Sequence, residues 1–286
     1  MTMKAKLIKG KEVSASLRQE MKTEVAQLIK QGITPGLAVV LVGEDRASQT
    51  YVRSKEKGCQ ELGIYSEKYL LPTETTQTEL MDLVDKLNKD PKINGILVQL
   101  PLPPHLDSKM VIESIYSEKD VDAFHASNVG RIMIGDYHFL PCTPAGIMEL
   151  IHSAGIEVSG KECVVVGRSN IVGKPMAMLL LHENGTVTIC HSKTKKLAEV
   201  TRRADILVSA IGKAKFITAD MVKEGAVVID VGMNRDENGK LCGDVDFDAV
   251  SEIASAITPV PGGVGPMTIT MLLKNTITAA KLAAKK

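Results

Sequence analysis

The sequence predicts an α/β protein built from two α/β domains, the second of them a Rossmann-like dinucleotide-binding domain. Three observations carry that expectation. Short apolar runs alternate with segments of helical period through both halves of the chain, the pattern of parallel sheets covered by helices. Aromatic residues make up only 3% of the chain and Trp is absent, so the core must be aliphatic, as suits strands buried on both faces. A glycine loop at Gly167 stands between a strand-like run and a helix-like run, where such folds receive phosphate at a helix N-terminus.

Composition sets the outer bounds. A chain of 286 residues fits two modest domains and can bury a sizeable core. A net charge of +1 gives no reason to expect nucleic acid or an anionic membrane as the main partner. Five cysteines, Cys59, Cys142, Cys163, Cys190 and Cys242, are scattered without C-x-x-C spacing. That argues against a disulfide framework or a structural zinc site, and no metal is expected. The opening residues lack an apolar h-region, and no uncharged apolar run approaches the roughly 18 residues of a membrane span. A soluble, cytoplasmic protein is expected.

In the first half, Val13, Leu17, Met21, Val25, Leu28 and Ile29 repeat at helical spacing and stop at Gly32. Residues 37–42 read as a strand, and a helix carrying Tyr51-Val-Arg-Ser-Lys55 follows and can end at Gly63. Taken alone, Arg53, Lys55, Glu56 and Lys57 look like a solvated helix face; Tyr51 and Lys55, four apart, share one side of that helix. A strand near 65–71 is broken by Pro72. Thr76-Gln-Thr-Glu79 reads as a capping box ahead of the stripe Leu80, Leu83, Val84 and Leu87. The strand 95–100 ends in Pro101-Leu-Pro-Pro104 and carries Gln99 near its C-terminal end. A buried amide there either bonds a neighbouring loop or faces a ligand. Asp120 and Asp122, two apart in a polar stretch, either cap a turn or point at a ligand. Residues 127–139 read as a loop-rich connection. Thr143 is expected to N-cap the next helix with Pro144 at its first position, and that helix, running to Gly155, marks the domain boundary.

The alternation then restarts. Strands are expected over 163–166, 186–190, 205–210 and 226–230, with helices ending near Leu181 and over 197–204. The loop Gly167-Arg-Ser-Asn-Ile-Val-Gly173-Lys-Pro175 departs from G-x-G-x-x-G, since Arg168 and Ser169 occupy the middle. Gly167 permits the tight turn, and the helix start offers N–H groups to phosphate. The acid that would bond a ribose 2′-OH about 20 residues on is missing. Cys190-His-Ser192-Lys-Thr-Lys-Lys196 stands there instead, so NADP is expected over NAD. Ile257-Thr-Pro-Val-Pro261-Gly262-Gly263-Val-Gly265-Pro266 gives a rigid frame whose backbone a ligand can approach closely. Pro266 can open a last helix carrying Met271, Leu272, Ile277 and Ala280.

These motifs together resemble one family, the bifunctional methylenetetrahydrofolate dehydrogenase/cyclohydrolases. The resemblance rests on Ala47-Ser48 with Tyr51-Val-Arg-Ser-Lys55, on Val98-Gln-Leu-Pro-Leu-Pro103 and on Lys119-Asp-Val-Asp122. It continues through Gly167 to Pro175, Asp230-Val-Gly232 and Pro259-Val-Pro-Gly-Gly-Val-Gly-Pro-Met-Thr268, in the family's order over nearly the whole chain. It implies NADP-dependent oxidation of 5,10-methylenetetrahydrofolate to the 5,10-methenyl form, and hydrolysis of that product to 10-formyltetrahydrofolate, both steps of one-carbon metabolism. It also implies a folate-binding catalytic domain over 1–143, completed by a C-terminal helix at 267–286, and an NADP-binding domain over 144–266. A cleft between them would hold the folate, and a homodimer would form largely through the second domain.

By position, the resemblance makes Lys55 the catalytic lysine of the hydrolytic step and Gln99 its hydrogen-bonding neighbour. Tyr51 would stack on the folate ring and Asp122 bind the polar edge of the pterin. Pro261, Gly262 and Gly263 would form part of the folate wall, and Gly167, Arg168, Ser169, Gly173, Ser192 and Met233 would contact NADP. Where the family commonly has glycine after the second aspartate, this chain has Ala123, which is strained if that position needs φ > 0. Lys55 could act neutral, taking a proton from water, or charged, orienting it. A short-chain dehydrogenase also uses Tyr-x-x-x-Lys, but after its glycine loop, and here Lys55 precedes Gly167. A dehydrogenase of the shikimate type and a non-catalytic nucleotide-binding regulator are the other readings, the latter leaving Lys55, Gln99 and Asp122 unexplained. No P-loop is present, so no fused ATP-dependent ligase is expected.

Overall fold

A computed structural model describes residues 5–285. In chain order the first half holds β1 (Lys6–Leu7), α1 (Gly10–Lys30), β2 (Gly36–Val42), α2 (Arg46–Leu62), β3 (Tyr65–Leu71), α3 (Gln77–Lys89), β4 (Gly95–Val98), α4 (Ser108–Ser114) and α5 (Ala126–Ile134). The second half holds α6 (Cys142–Ser153), β5 (Glu162–Val166), α7 (Gly173–His182), β6 (Thr186–Cys190), α8 (Leu197–Thr201), β7 (Ile206–Ser209), β8 (Val227–Asp230), β9 (Asn234–Arg235), β10 (Leu241–Cys242), α9 (Phe247–Ser251), β11 (Ala256–Ile257) and α10 (Val264–Ala283).

The chain divides into two compact units, one of Met1–Ala15 with Thr143–Thr268, the other of Ser16–Cys142 with Ile269–Lys286. The expected first domain, 1–143, therefore starts differently: β1 pairs in parallel with β11, so the N-terminal segment belongs with the nucleotide-type unit. The pairing is cooperative with the chain after it, because the Lys11 N–H donates to the Gly262 carbonyl at 3.0 Å.

The unit of residues 16–142 and 269–286 is built on a three-stranded parallel sheet in the order β3-β2-β4. Every residue of β2 is buried, which is why Gly36-Leu-Ala-Val-Val-Leu-Val42 is an unbroken apolar run. Leu80, Val84 and Leu87 of α3 pack with Val40, Ile96 and Val98 in one apolar cluster. The capping box forms as the sequence requires: Thr76 Oγ1 accepts from the Glu79 N–H, and the Glu79 carboxylate accepts from the Thr76 N–H at 2.8 Å.

The other unit carries a six-stranded sheet in the order β1-β11-β8-β7-β5-β6, with parallel pairing throughout. Chain order runs outward in opposite directions from β5, to β6 on one side and β7 on the other. That is the doubly wound pattern, whose switch point lies at the C-terminal ends of β5 and β7. Val164, Val166, Leu207 and Val228 supply the aliphatic core beneath it.

Three local expectations need correction. Residues 127–139, read as a loop, contain α5, which is closed at both ends by tertiary and local caps. The His125 ring accepts from the Ser127 N–H at 3.1 Å, and Gly135 ends the helix in the left-handed region. Gly130 and the mixed polarity hide this helix from a periodicity reading. α4 was not foreseen; Asp107 caps it, accepting from the Lys109 and Met110 N–H groups at 2.9 and 3.1 Å. Thr143 is not an N-cap. The helix already begins at Cys142, which leaves Pro144 within the first turn, where its missing N–H costs nothing, and Thr143 Oγ1 bonds Thr268 Oγ1 at 2.9 Å. Likewise α10 starts at Val264, two residues ahead of Pro266.

Candidate active site

Lys55 lies on the buried face of α2, among charged neighbours that face outward. Ser48, Val52, Lys55, Cys59 and Leu62 recur at spacings of three and four, and all five are buried, while Arg53 and Lys57 are exposed. A lysine on the apolar stripe of a helix is unexpected unless something recruits it. The helix itself is well fixed, since Asp45 accepts from the Ser48 N–H at 2.7 Å and Gly63 closes the other end at φ 76.

Lys55 Nζ donates to Gln99 Oε1 at 2.8 Å. The amide is held in turn: the Gln99 N–H donates to the Val40 carbonyl at 2.8 Å, extending the β2–β4 pairing by one residue. Its Nε2 donates to the Leu100 carbonyl at 2.7 Å, and the Leu100–Pro101 peptide is cis. Both partners therefore stand at the C-terminal end of this unit's sheet, where its strand order reverses around β2. Of the two alternatives for Gln99, its Nε2 bonds the adjoining backbone while its oxygen takes the lysine.

Asp122 completes the cluster. Burial drives Lys55 below the ordinary lysine value, opposed in part by the Asp122 carboxylate. Burial likewise raises Asp122, opposed by Lys55 and by the Cys142 thiol. Both groups are thus pushed toward their neutral forms, and each supports the other's charge. Cys142 Sγ donates to Asp122 Oδ1 and to the Val121 carbonyl, both at 3.5 Å, and burial with the nearby carboxylate raises this thiol well above its ordinary value. Ala123, buried, sits at φ 58, so the position does demand the left-handed region and the alanine bears that strain. Tyr51, half-buried one turn before Lys55, has its hydroxyl pKa raised by burial.

Asp120 plays a different part. Its Oδ2 accepts from the His125 N–H and Asn128 Nδ2, both at 2.8 Å, which locks the entry to α5. Burial raises its carboxyl to about 6 from an ordinary 3.8. The folded state holds this proton more tightly than the unfolded chain does. Its contribution favours folding fully below the unfolded value and is lost as pH rises through the folded one. Asp120→Asn keeps an acceptor for both donors, so urea titrations from about pH 4 to about pH 7 should show a flatter decline in stability than wild type. Parallel curves would contradict this.

In the other unit, Gly167 follows β5 at φ 137, and a Cβ there would overlap the Ala210 carbonyl after β7. A Cβ on Gly173 would overlap the Gly167 carbonyl. The two glycines let the start of α7 close onto the ends of β5 and β7, leaving a cradle that side chains would fill. Ser169 Oγ accepts from the Val172 and Gly173 N–H groups at 3.1 and 3.3 Å. Arg168, Ser169, Ser192 and Lys193 are exposed around this loop, so the cradle fits a dinucleotide bearing an extra phosphate. Met233 is exposed after β8. Pro261 is exposed, Gly262 is at φ 103, and the Val260–Pro261 peptide is cis. Lys55, Gln99, Asp122 and Tyr51 thus belong to one unit, and the glycine loop and Pro261–Gly–Gly stretch to the other.

Sequence reasoning passed over a second buried network here. Asp230 accepts from the Gly232, Asp244 and Val245 N–H groups at 3.0, 2.8 and 3.0 Å, and burial raises it to about 6. Asp244, wholly buried, accepts from Ser209 Oγ, the Ile211 and Lys213 N–H groups and Asn234 Nδ2. Cys142 and Asn275 were also missed. A polar Asn275 amid Leu272, Leu273, Thr276 and Ile277 on the apolar face of α10 was the available signal.

Fold and site together define a two-unit α/β protein, one unit doubly wound in the manner of dinucleotide-binding folds and the other burying a lysine against a glutamine amide. The signature "Tetrahydrofolate dehydrogenase/cyclohydrolase, catalytic domain" matches residues 8–122, and that family's NAD(P)-binding domain matches 141–284. The chain belongs to the tetrahydrofolate dehydrogenase/cyclohydrolase family. It is 63% identical over 283 residues to the bifunctional protein FolD of Acetivibrio thermocellus, covering 99% of each chain. Among solved structures, the FolD methylenetetrahydrofolate dehydrogenase/cyclohydrolase of Campylobacter jejuni is similar at TM-score 0.95 and 52% identity, over 97% of this chain and 99% of that one. The Trypanosoma brucei dehydrogenase-cyclohydrolase, solved with NADP cofactor and an inhibitor, is similar at TM-score 0.95 and 41% identity, over 99% and 100%.

Proposed function

We propose that the protein oxidises 5,10-methylenetetrahydrofolate to 5,10-methenyltetrahydrofolate with NADP, and hydrolyses the methenyl bridge to give 10-formyltetrahydrofolate. The observation that carries the hydrolytic half is the buried Lys55 amine, bonded to the neutral amide of Gln99 at 2.8 Å. Hydrolysis needs a water to lose a proton as it attacks a cationic, amidine-like carbon. Desolvation already favours the neutral amine, and the positive charge of the methenyl substrate adds to that bias. Lys55 then takes the proton from water as its oxygen bonds the bridge carbon, and the bond from that carbon to N5 breaks with N5 taking a proton, which leaves the formyl group on N10. Gln99 holds the amine without contributing a charge, Asp122 binds the polar edge of the pterin, and Tyr51 stacks on the folate ring.

The oxidative half needs no acid or base from the chain. Bound at the Gly167–Gly173 cradle, the oxidised nicotinamide of NADP would supply the hydride acceptor, and the chain's own part would be proximity and orientation. Gly167 and Gly173 form the cradle, with Ser169, Ser192 and Met233 as further contacts. Arg168 meets the 2′-phosphate. Arg168→Ala is expected to raise KM for NADP by about tenfold to a hundredfold while leaving activity with NAD nearly unchanged; equal loss with both cofactors would overturn that role. Pro261, Gly262 and Gly263 are, by the same family resemblance, further candidate folate contacts.

Among the described residues, no helix is long and apolar enough to cross a membrane. The cytoplasm, and a homodimer formed through the unit bearing edge strand β6, belong to the same reading; exposed Leu181 and Ile189 beside that edge support it.

One assay tests the whole reading. With methylenetetrahydrofolate and NADP, NADPH should accumulate while the methenyl chromophore rises and then decays. Turnover of shikimate instead, or NADP binding without any turnover, would overturn it.

A further inference from the structure

We infer that Asn275 of α10 is a positioning residue for the hydrolytic centre, acting through the backbone on either side of Asp122 and Cys142. The inference rests on the assignment of Asp122 to folate binding made above.

Asn275 is buried, and its Nδ2 donates to the Val121 carbonyl and to the Leu140 carbonyl, both at 2.8 Å. The two hydrogens of one amide are thus spent on two separate chain segments. One ends in Asp122, the next residue; the other leads in two residues to Cys142. The same nitrogen lies 3.8 Å from Cys142 Sγ, and that thiol donates to Val121 O and Asp122 Oδ1. A single side chain therefore sets the spacing of the thiol–carboxylate contact that faces Lys55.

The loop needs such a clamp. Ala123 holds the strained φ of 58 immediately after Asp122, and a strained residue persists only where its surroundings over-determine it. Asp120 ties the loop to α5 through His125 and Asn128, and Asn275 ties it to α10. The platform is firm: in the same unit Arg18 Nε of α1 bonds Thr270 Oγ1 at 3.0 Å, and Lys281 pairs with Glu24 at 2.5 Å. Apolar residues at 272, 273 and 277 would hold α10 in place without any amide at 275. The amide is surplus to helix packing and directed at the loop.

The test compares Asn275→Leu, which keeps the branched shape but has no donors, with Ile277→Ala, which opens a cavity on the same helix at a buried residue outside the hydrogen-bonded cluster. Asn275→Ser, keeping one donor, is measured alongside in case the leucine variant does not fold, and should fall between it and wild type. Small misplacements of reacting groups cost up to about 100-fold. Asn275→Leu should therefore lower kcat for methenyl hydrolysis, and raise KM for the folate, by on the order of tenfold or more. The NADP dissociation constant should stay within about twofold of wild type. Ile277→Ala should lose comparable thermal stability with folate KM and hydrolytic kcat near wild type. Matching kinetics in the leucine and alanine variants, or unchanged kinetics in Asn275→Leu and Asn275→Ser, would overturn the inference. Asp122→Asn separates the two levels. If it slows turnover while the Asn275 variants do not, the inference fails and the site stands; if it has no effect, the site assignment fails and the inference with it.

Discussion

Replacing Lys55 by Met is expected to lower the rate of methenyltetrahydrofolate hydrolysis by about 10³-fold, the scale of a lost general base, with NADP affinity unchanged. The fold should tolerate the change. Lys55 is 6% exposed on an apolar helix face between Val52 and Cys59, and methionine fills nearly the same volume without a charge to desolvate. Removing the amine leaves Gln99 Oε1 short of a donor, but its Nε2 keeps the Leu100 carbonyl. The two effects offset, so the unfolding free energy should stay within about 2 kcal/mol of wild type. Steady-state hydrolysis of supplied methenyltetrahydrofolate, alongside urea unfolding, checks both parts. A variant that hydrolyses at the wild-type rate removes Lys55 from the mechanism. One that fails to fold shows that the amine is structural.

Asp244→Ala should be the most destabilising single change in the dinucleotide unit. Its carboxylate receives two backbone N–H groups, from Ile211 and Lys213 at 2.8 and 2.9 Å, and the side chains of Ser209 and Asn234 at 3.2 and 2.9 Å. Alanine leaves these donors in a site with no solvent exposure, a loss of about 3–5 kcal/mol. For a unit of this size that lowers Tm by on the order of 10 °C. The function should suffer with the fold, because the residues released, 209–213 and 234, lie at or beyond the C-terminal ends of β7 and β8, at the end of the sheet that carries the glycine loop. Calorimetry and NADP binding below the lowered Tm together measure this. A shift of one or two degrees with normal binding would show that the network is replaceable.

How legible all this was in the sequence follows from the range of the forces involved. β2, and the apolar stretches 163–166 of β5 and 227–229 of β8, announce themselves because strands covered on both faces are built from runs of aliphatic residues. Thr76 and Glu79 announce α3 because a capping box is completed within four residues. α5 was missed because one of its anchors, the Asp120 carboxylate, comes from outside the helix, and a glycine sits within it. Lys55 was ambiguous for a related reason. Its neighbours Arg53, Glu56 and Lys57 are charged, and although 52, 55 and 59 have helical spacing, only the burial of α2 shows that this stripe is the covered one. Ala123 was the reverse case: a residue out of place in the resemblance pointed to a positive φ that the backbone has. Asn275, Cys142 and Asp244 act on residues far away in sequence, or through main-chain groups, and periodicity carries no record of such contacts.

The most direct measurement is the titration of the Lys55 side chain itself, by NMR of the enzyme labelled at the lysine ε position, with Lys55→Met assigning the signal. The amine is expected to deprotonate below the ordinary lysine value, because burial outweighs the Asp122 carboxylate. Asp122→Asn should move the titration lower still, since that carboxylate opposes the effect of burial. A Lys55 that titrates like an exposed lysine, and is indifferent to Asp122, would contradict both expectations.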